Sequence, residues 1–142
     1  MATNMYKKYT EAKTREWNVG SNVQAGTLVI VNDQIGVTLT ASGGTTKTDT
    51  LPNGDTWTHN IGGVGNKTNA ATVATDGTWL FTVAGVSNGE TVGGTGTAKG
   101  TKVYRVSVDG SLTLTSGGNT LVGTIDDGVI VGGVAPVQIG AI

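Results

Sequence analysis

Turn-forming residue pairs recur along this chain, and they limit its fold more than any motif does. Asp109-Gly110 stands between TKVYRVSV (101–108) and SLTLT (111–115), and Asp76-Gly77 separates ATVAT from TWLFTVA (78–84). Asn32-Asp33 lies between TLVIV (27–31) and QIGVTLT (34–40), and Asn53-Gly54, Asn88-Gly89 and Asp127-Gly128 add further turn signals. Such pairs accept positive φ at little cost and suit the tight primed turns that join antiparallel strands. SLTLT alternates strictly, with Leu112 and Leu114 on one face and hydroxyls on the other, as a half-buried strand does. TLVGTI (120–125), GVIV (128–131) and APVQIG (135–140) complete the strand-like runs. Val and Thr, which recur throughout, fit a pleated surface. No helical pattern appears beyond the N-terminal segment, which excludes βαβ architectures. The expected fold is all-β: a compact antiparallel β-barrel or sandwich with an extended N-terminal arm and a long Gly/Thr-rich insertion.

Composition narrows the function classes. The 142 residues suit one domain, expected over 18–142, with an arm over 1–17. Charged residues are 13%, and the net charge is −1. Enough apolar residues remain to fold the chain, so low charge does not mean disorder here. A protein with so little charge repulsion suits an assembly. The near-neutral balance argues against nucleic acid as a partner, since phosphate neutralisation needs a basic surface. There is no cysteine, so stability must come from packing or association. No apolar run is long enough to span a membrane as a helix. The start, MATNMYKKYTEAKTREW, has no apolar core and is not expected to act as a secretory signal. The sequon Asn66-Lys67-Thr68 is then a chance occurrence in a protein made in the cytoplasm.

The arm has its own character. Lys7, Lys8, Lys13 and Arg15 are four of the nine basic residues, Tyr6 and Tyr9 are two of the three tyrosines, and Trp17 closes the segment. Such an arm is either a solvated end or a segment that orders on a partner with its aromatics as anchors. Ordering it would cost about 1–2 kcal/mol per residue, which many copies bound at once would offset. Residues 41–71 and 85–100 show no clear strand. The first is long for a loop in a compact domain, and a hairpin is expected around Pro52-Asn53-Gly54-Asp55, with Thr50-Leu51 and Thr56-Trp57-Thr58 as its arms.

Catalytic chemistry finds little support. HNIGGVGNKT (59–68) looks like a phosphate loop, but G-x-x-x-x-G-K-[ST] needs glycines where Ile61 and Asn66 stand. The next segment, NAATVATDGTWLF, reads as a strand pattern, not as the helix whose N-terminus would hold phosphate. His59 is the only histidine, and there is no G-x-S-x-G elbow. Asp126-Asp127 is the one adjacent carboxylate pair, and Asp127-Gly128 reads first as a turn. No Asp/Asn alternation resembles a calcium loop. The chain is therefore expected to be no enzyme, with no cofactor and no metal. Trp79, with Phe81 on the same strand face, is expected in the core. Trp57 is expected as a satellite core residue, its alternative being an exposed recognition residue.

The order of segments resembles the capsid decoration, or capsid cement, proteins of tailed bacteriophages. The likeness runs through Ala25-Gly26, Leu28 to Val31, Ile35-Gly36-Val37, WLFTVAG (79–85), Lys99-Gly100-Thr101-Lys102-Val103-Tyr104, Leu121-Val122-Gly123 and the closing VAPVQIGAI. It covers about two-thirds of the chain and leaves out the arm and 41–71. The resemblance implies a compact β domain, present as a homotrimer at three-fold and quasi-three-fold positions. It implies binding to the major capsid protein on the outer surface of the virion, cementing neighbouring capsomers against the pressure of packed DNA. On that reading Tyr6, Lys7, Lys8, Tyr9, Lys13, Arg15 and Trp17 are the candidate capsid or subunit contacts of the arm. The almost uncharged C-terminal stretch is expected in the sheet or at a subunit contact, through Val137, Ile139 and Ile142. The rival reading is a phage or bacterial surface-binding module for a receptor or glycan, with Trp57 as a sugar platform.

Overall fold

The computed structural model describes residues 5–7, 14–43, 46–60 and 69–139. Among them are fourteen strands and no helix: β1 (Met5–Lys7), β2 (Thr14–Asn18), β3 (Leu28–Val31), β4 (Gln34–Thr38), β5 (Thr46–Thr50), β6 (Thr56–Asn60), β7 (Ala70–Ala74), β8 (Gly77–Ala84), β9 (Gly89–Glu90), β10 (Lys102–Arg105), β11 (Leu112–Thr113), β12 (Thr120–Ile125), β13 (Val129–Ile130) and β14 (Val134–Ile139). The all-β class is as the turn spacing predicts, and the structure contains a closed five-stranded barrel and a half-barrel sheet. The chain divides into two compact units, one built on Lys13–Thr75 and the other on Asp76–Ile142 with the segment that contains β1.

In the first unit the half-barrel sheet runs β2-β7-β4-β3. Asn32 and Asp33, at φ 50° and 63°, form the two-residue turn between β3 and β4, with Val31 opposite Gln34. Two successive positive φ values are what a type I′ turn needs. Leu28, Val37, Ala70, Ala71, Val73 and Ala74 are buried. Thr38 is buried with them, its hydroxyl donating to the Gln24 carbonyl at 2.7 Å and accepting from the Thr27 N–H at 3.0 Å. β2 belongs to this sheet, with Thr14 to Asn18 paired against Ala74 to Ala70. Its exposed Thr14, Arg15 and Glu16 disguise it as a solvated arm, as an edge strand's residues do. The insertion is pinched at its base, where the Asn69 N–H donates to the Gly43 carbonyl and the Gly43 N–H to that of Ala70.

In the second unit β8, β11, β10, β12 and β14 form a ring, because β14 also pairs with β8. Six register pairs, Val134↔Thr82 to Ile139↔Gly77, close it. Closure removes the free edges that would otherwise invite aggregation. β8 is long enough to divide one edge between β1, at Thr78 and Trp79, and β11, at Val83 and Ala84. The β8–β11 pair is parallel. Trp79, Val83, Val103, Leu112, Val122, Ile125, Ala135, Val137 and Ile139 fill the core. Trp79 is fully buried, as expected, and its indole N–H donates to the Asp76 carbonyl at 3.1 Å.

Two turns differ from expectation. Asp109-Gly110 does lie between paired strands, but the connection is longer: the Val106 N–H bonds the Ser111 carbonyl and the Gly110 N–H that of Val106. Asp76-Gly77 joins no hairpin, since β7 pairs with β2 and β4 while β8 belongs to the barrel. The pair marks the passage between units. Residues 85–100 hold only the short β9, paired with β13, and are otherwise pinned by hydrogen bonds, including the Lys99 N–H to the Thr91 carbonyl at 3.0 Å.

Candidate functional site

The expected hairpin exists and is longer than its sequence signal. β5 and β6 pair from Thr46↔Asn60 to Thr50↔Thr56, four residues beyond the foreseen arm in β5 and two in β6. The tip follows from its residues. Pro52 presets the first turn position, and the backbone goes left-handed only at Gly54, φ +91°. The Gly54 N–H donates to the Leu51 carbonyl at 2.9 Å and the Leu51 N–H to the Asp55 carbonyl at 2.7 Å. The Asn53 carboxamide oxygen accepts from the Asp55 N–H at 3.0 Å, and its amide donates to the Asp55 carboxylate at 2.9 Å.

Period-two alternation sorts the hairpin's faces. Thr48, Thr50, Thr56 and Thr58 share one face, where the Thr48 and Thr58 hydroxyls bond at 2.8 Å. Asp49 and Trp57 stand opposite each other on the other face. Trp57 is 57% exposed and Leu51 44%. Trp57 is therefore not a satellite core residue. A two-stranded sheet has no third strand or helix to bury its face against, so a large side chain stays outside. An exposed indole beside an exposed leucine is suited to burial against a partner.

The candidate contacts of the N-terminal segment that are described fall in two different strands. Tyr6 and Lys7 lie in β1, against β8 of the barrel. Lys8, Tyr9 and Lys13 lie outside the described residues. Arg15 and Trp17 lie in β2, opposite Val73 and Ala71, Arg15 exposed and Trp17 half-buried. Trp17 packs on Gly36: a Cβ there would lie 3.0 Å from its Cζ3 and 2.2 Å from Val73 Cγ1, so only glycine leaves room for the ring. Beside Trp17 is a hollow of about 300 Å³, lined also by Glu16, Asn18, Val31, Asn32 and Gln34. Sequence reasoning missed it because its two halves come from segments separated by the register of β7.

Val137 and Ile139 lie in the sheet, one of the two places expected for the C-terminal stretch. Both are sealed in the barrel of their own chain, 0% and 1% exposed, because β14 alternates its apolar side chains inward along the closing seam. Ile142 lies outside the described residues. Asp126 is also buried, accepting from the Thr78 hydroxyl at 2.6 Å and the Asp127 N–H at 2.7 Å. The buried Thr91 hydroxyl donates to the Asp126 carbonyl at 2.9 Å and accepts from the Gly128 N–H at 3.0 Å. This network ties the 85–100 loop to the corner after β12, a structural use of the one adjacent carboxylate pair. Asp109 has its carboxyl held below the ordinary carboxylate range, chiefly by the Ser111 hydroxyl, which donates at 2.7 Å, and then by the Ser111 N–H. That pair stabilises the loop between β10 and β11. Among the described residues no group of three or more His, Cys, Asp or Glu is placed to hold a metal ion. No protein-family model, no curated protein and no solved structure matches the chain.

Proposed function

We propose that this protein is a structural component of a tailed-bacteriophage head, a capsid cement protein on the outer surface of the shell. The observation that carries the reading is the order of the segments resembling that family. They coincide with the β3–β4 hairpin, β8, β10, β12 and β14, four of these being barrel strands. A rigid barrel of this kind bears load without moving parts. The exposed Trp57 and Leu51 of the β5–β6 hairpin supply an apolar contact, and the basic residues of the N-terminal segment supply contacts for acidic groups on the major capsid protein. Trimers at three-fold and quasi-three-fold positions would each touch several capsomers, so modest affinity per copy adds up. Purified protein mixed with undecorated heads and sedimented should saturate at a fixed ratio to the major capsid protein. Failure to bind heads under any ionic strength rejects the proposal.

The exposure of Trp57 favours one other reading, a receptor- or glycan-binding surface module. Binding to cells or glycans, with none to heads, would establish that reading in its place.

A further inference from the structure

The hollow beside Trp17 is lined by an indole and by amide residues. We propose that it is a binding site for a neutral, hydroxyl-rich ligand, a sugar ring, seated on the Trp17 indole. Among the described residues the Trp17 N–H and the carboxamides of Asn32 and Gln34 make no hydrogen bond. Asn18 accepts only a long one, from the Gly20 N–H at 3.3 Å. An indole face with a donor at its rim, next to planar amides that each donate and accept, matches adjacent hydroxyls on a ring with an apolar face. None of the described residues that line the hollow is basic and Glu16 is acidic, which disfavours an anionic ligand. The volume, about 300 Å³, sits at the small end for ligand pockets and suits one or two rings.

The site is preorganised. The indole lies close over Gly36, where a Cβ would come within 3.0 Å of its Cζ3. Asn32 is fixed in the left-handed conformation of its turn at φ 50°. Rigid placement of aromatic and amide groups lowers the ordering cost of binding. The inference does not use the β5–β6 hairpin, which supplies the apolar contact of the capsid reading.

Titration of the ¹⁵N-labelled full chain with maltotriose, cellotriose, chitotriose and mannotriose at millimolar concentration tests the site through the three indole N–H signals. Trp17→Phe and Trp57→Phe assign the signals, and the buried Trp79 N–H is the internal reference. At least one sugar should move the Trp17 signal saturably and leave Trp57 and Trp79 in place. Gln34→Ala, at an exposed position with no protein hydrogen bond, should weaken that affinity about 2- to 10-fold, the loss of one hydrogen bond, with the urea midpoint unchanged. The proposal is overturned if Trp17 stays still with all four sugars, if Trp57 moves instead, or if Gln34→Ala binds like the parent.

Discussion

Gly123→Ala tests the closing seam of the barrel. Gly123 lies in β12 opposite Val103 of β10, with β14 on its other side. A Cβ built there would lie 2.2 Å from the Gln138 carbonyl oxygen, 3.1 Å from its carbon and 3.2 Å from Val137 Cγ1. Ordinary contact needs about 1 Å more. The struck atom is backbone, held in a strand paired on both sides, so no rotamer change relieves it. The strands must part by that amount where Thr124 and Ile125 pair with Gln138 and Val137. Overpacking of this kind costs about 1–3 kcal/mol, and a backbone clash belongs at the upper end. With a urea dependence of about 1–3 kcal/mol per molar, the unfolding midpoint should fall by about 1–3 M. Gly117→Ala is the control: nothing lies within 4 Å of its Cβ position, so its stability should stay within about 0.5 kcal/mol of the parent. Urea unfolding followed by fluorescence reads both. A Gly123→Ala midpoint equal to that of the control would show that the β12–β14 seam has slack and would refute the closed-barrel account of the core.

Thr78→Val keeps the side-chain shape but removes the hydroxyl that donates to Asp126 at 2.6 Å; stability should drop by about 1.5–3 kcal/mol, with Thr78→Ser retaining most of it, as measured by urea titration. Ser111→Ala should move the Asp109 pKa up toward its ordinary value, read from the carboxyl ¹³C shift against pH. Because that pKa is lowered in the folded state, its contribution is present above the unfolded pKa and fades as pH falls through the folded one, and full exposure keeps the contribution small. Trp57→Ala should leave the urea midpoint within about 0.5 kcal/mol of the parent and weaken head binding about tenfold or more in sedimentation, as loss of an aromatic anchor does.

The strand class and several turns are legible in the sequence because their causes are local. Asn32-Asp33 fixes a type I′ turn wherever it sits between two apolar runs, and Pro52-Asn53-Gly54 fixes its own bend. TLVGTI matches β12 end to end, since turn residues bound it on both sides. Pairing partners are not legible. Asp76-Gly77 has the chemistry of a hairpin turn, yet the long β8 finds its partners in β14, β11 and β1, where it buries Trp79. β2 carries Arg15 and Glu16 outward and shows too few apolar residues to register as a strand. The 85–100 loop owes its order to hydrogen bonds such as Ser87 N–H to Thr97 Oγ1 at 2.8 Å, which leave no apolar periodicity behind. Trp57 misleads because aromatic residues usually find a core, and a two-stranded hairpin provides none. The hollow at Trp17 has no signal in either segment alone: TREWN and VNDQ become neighbours only through the fold.

The most direct test of the proposed cementing function is a cryo-electron microscopy reconstruction of phage heads saturated with the protein beside undecorated ones. The expected result is added density on the outer surface at three-fold and quasi-three-fold positions, into which the barrel fits, bridging neighbouring capsomers. A shell with no added density, or density confined to the tail, would contradict it.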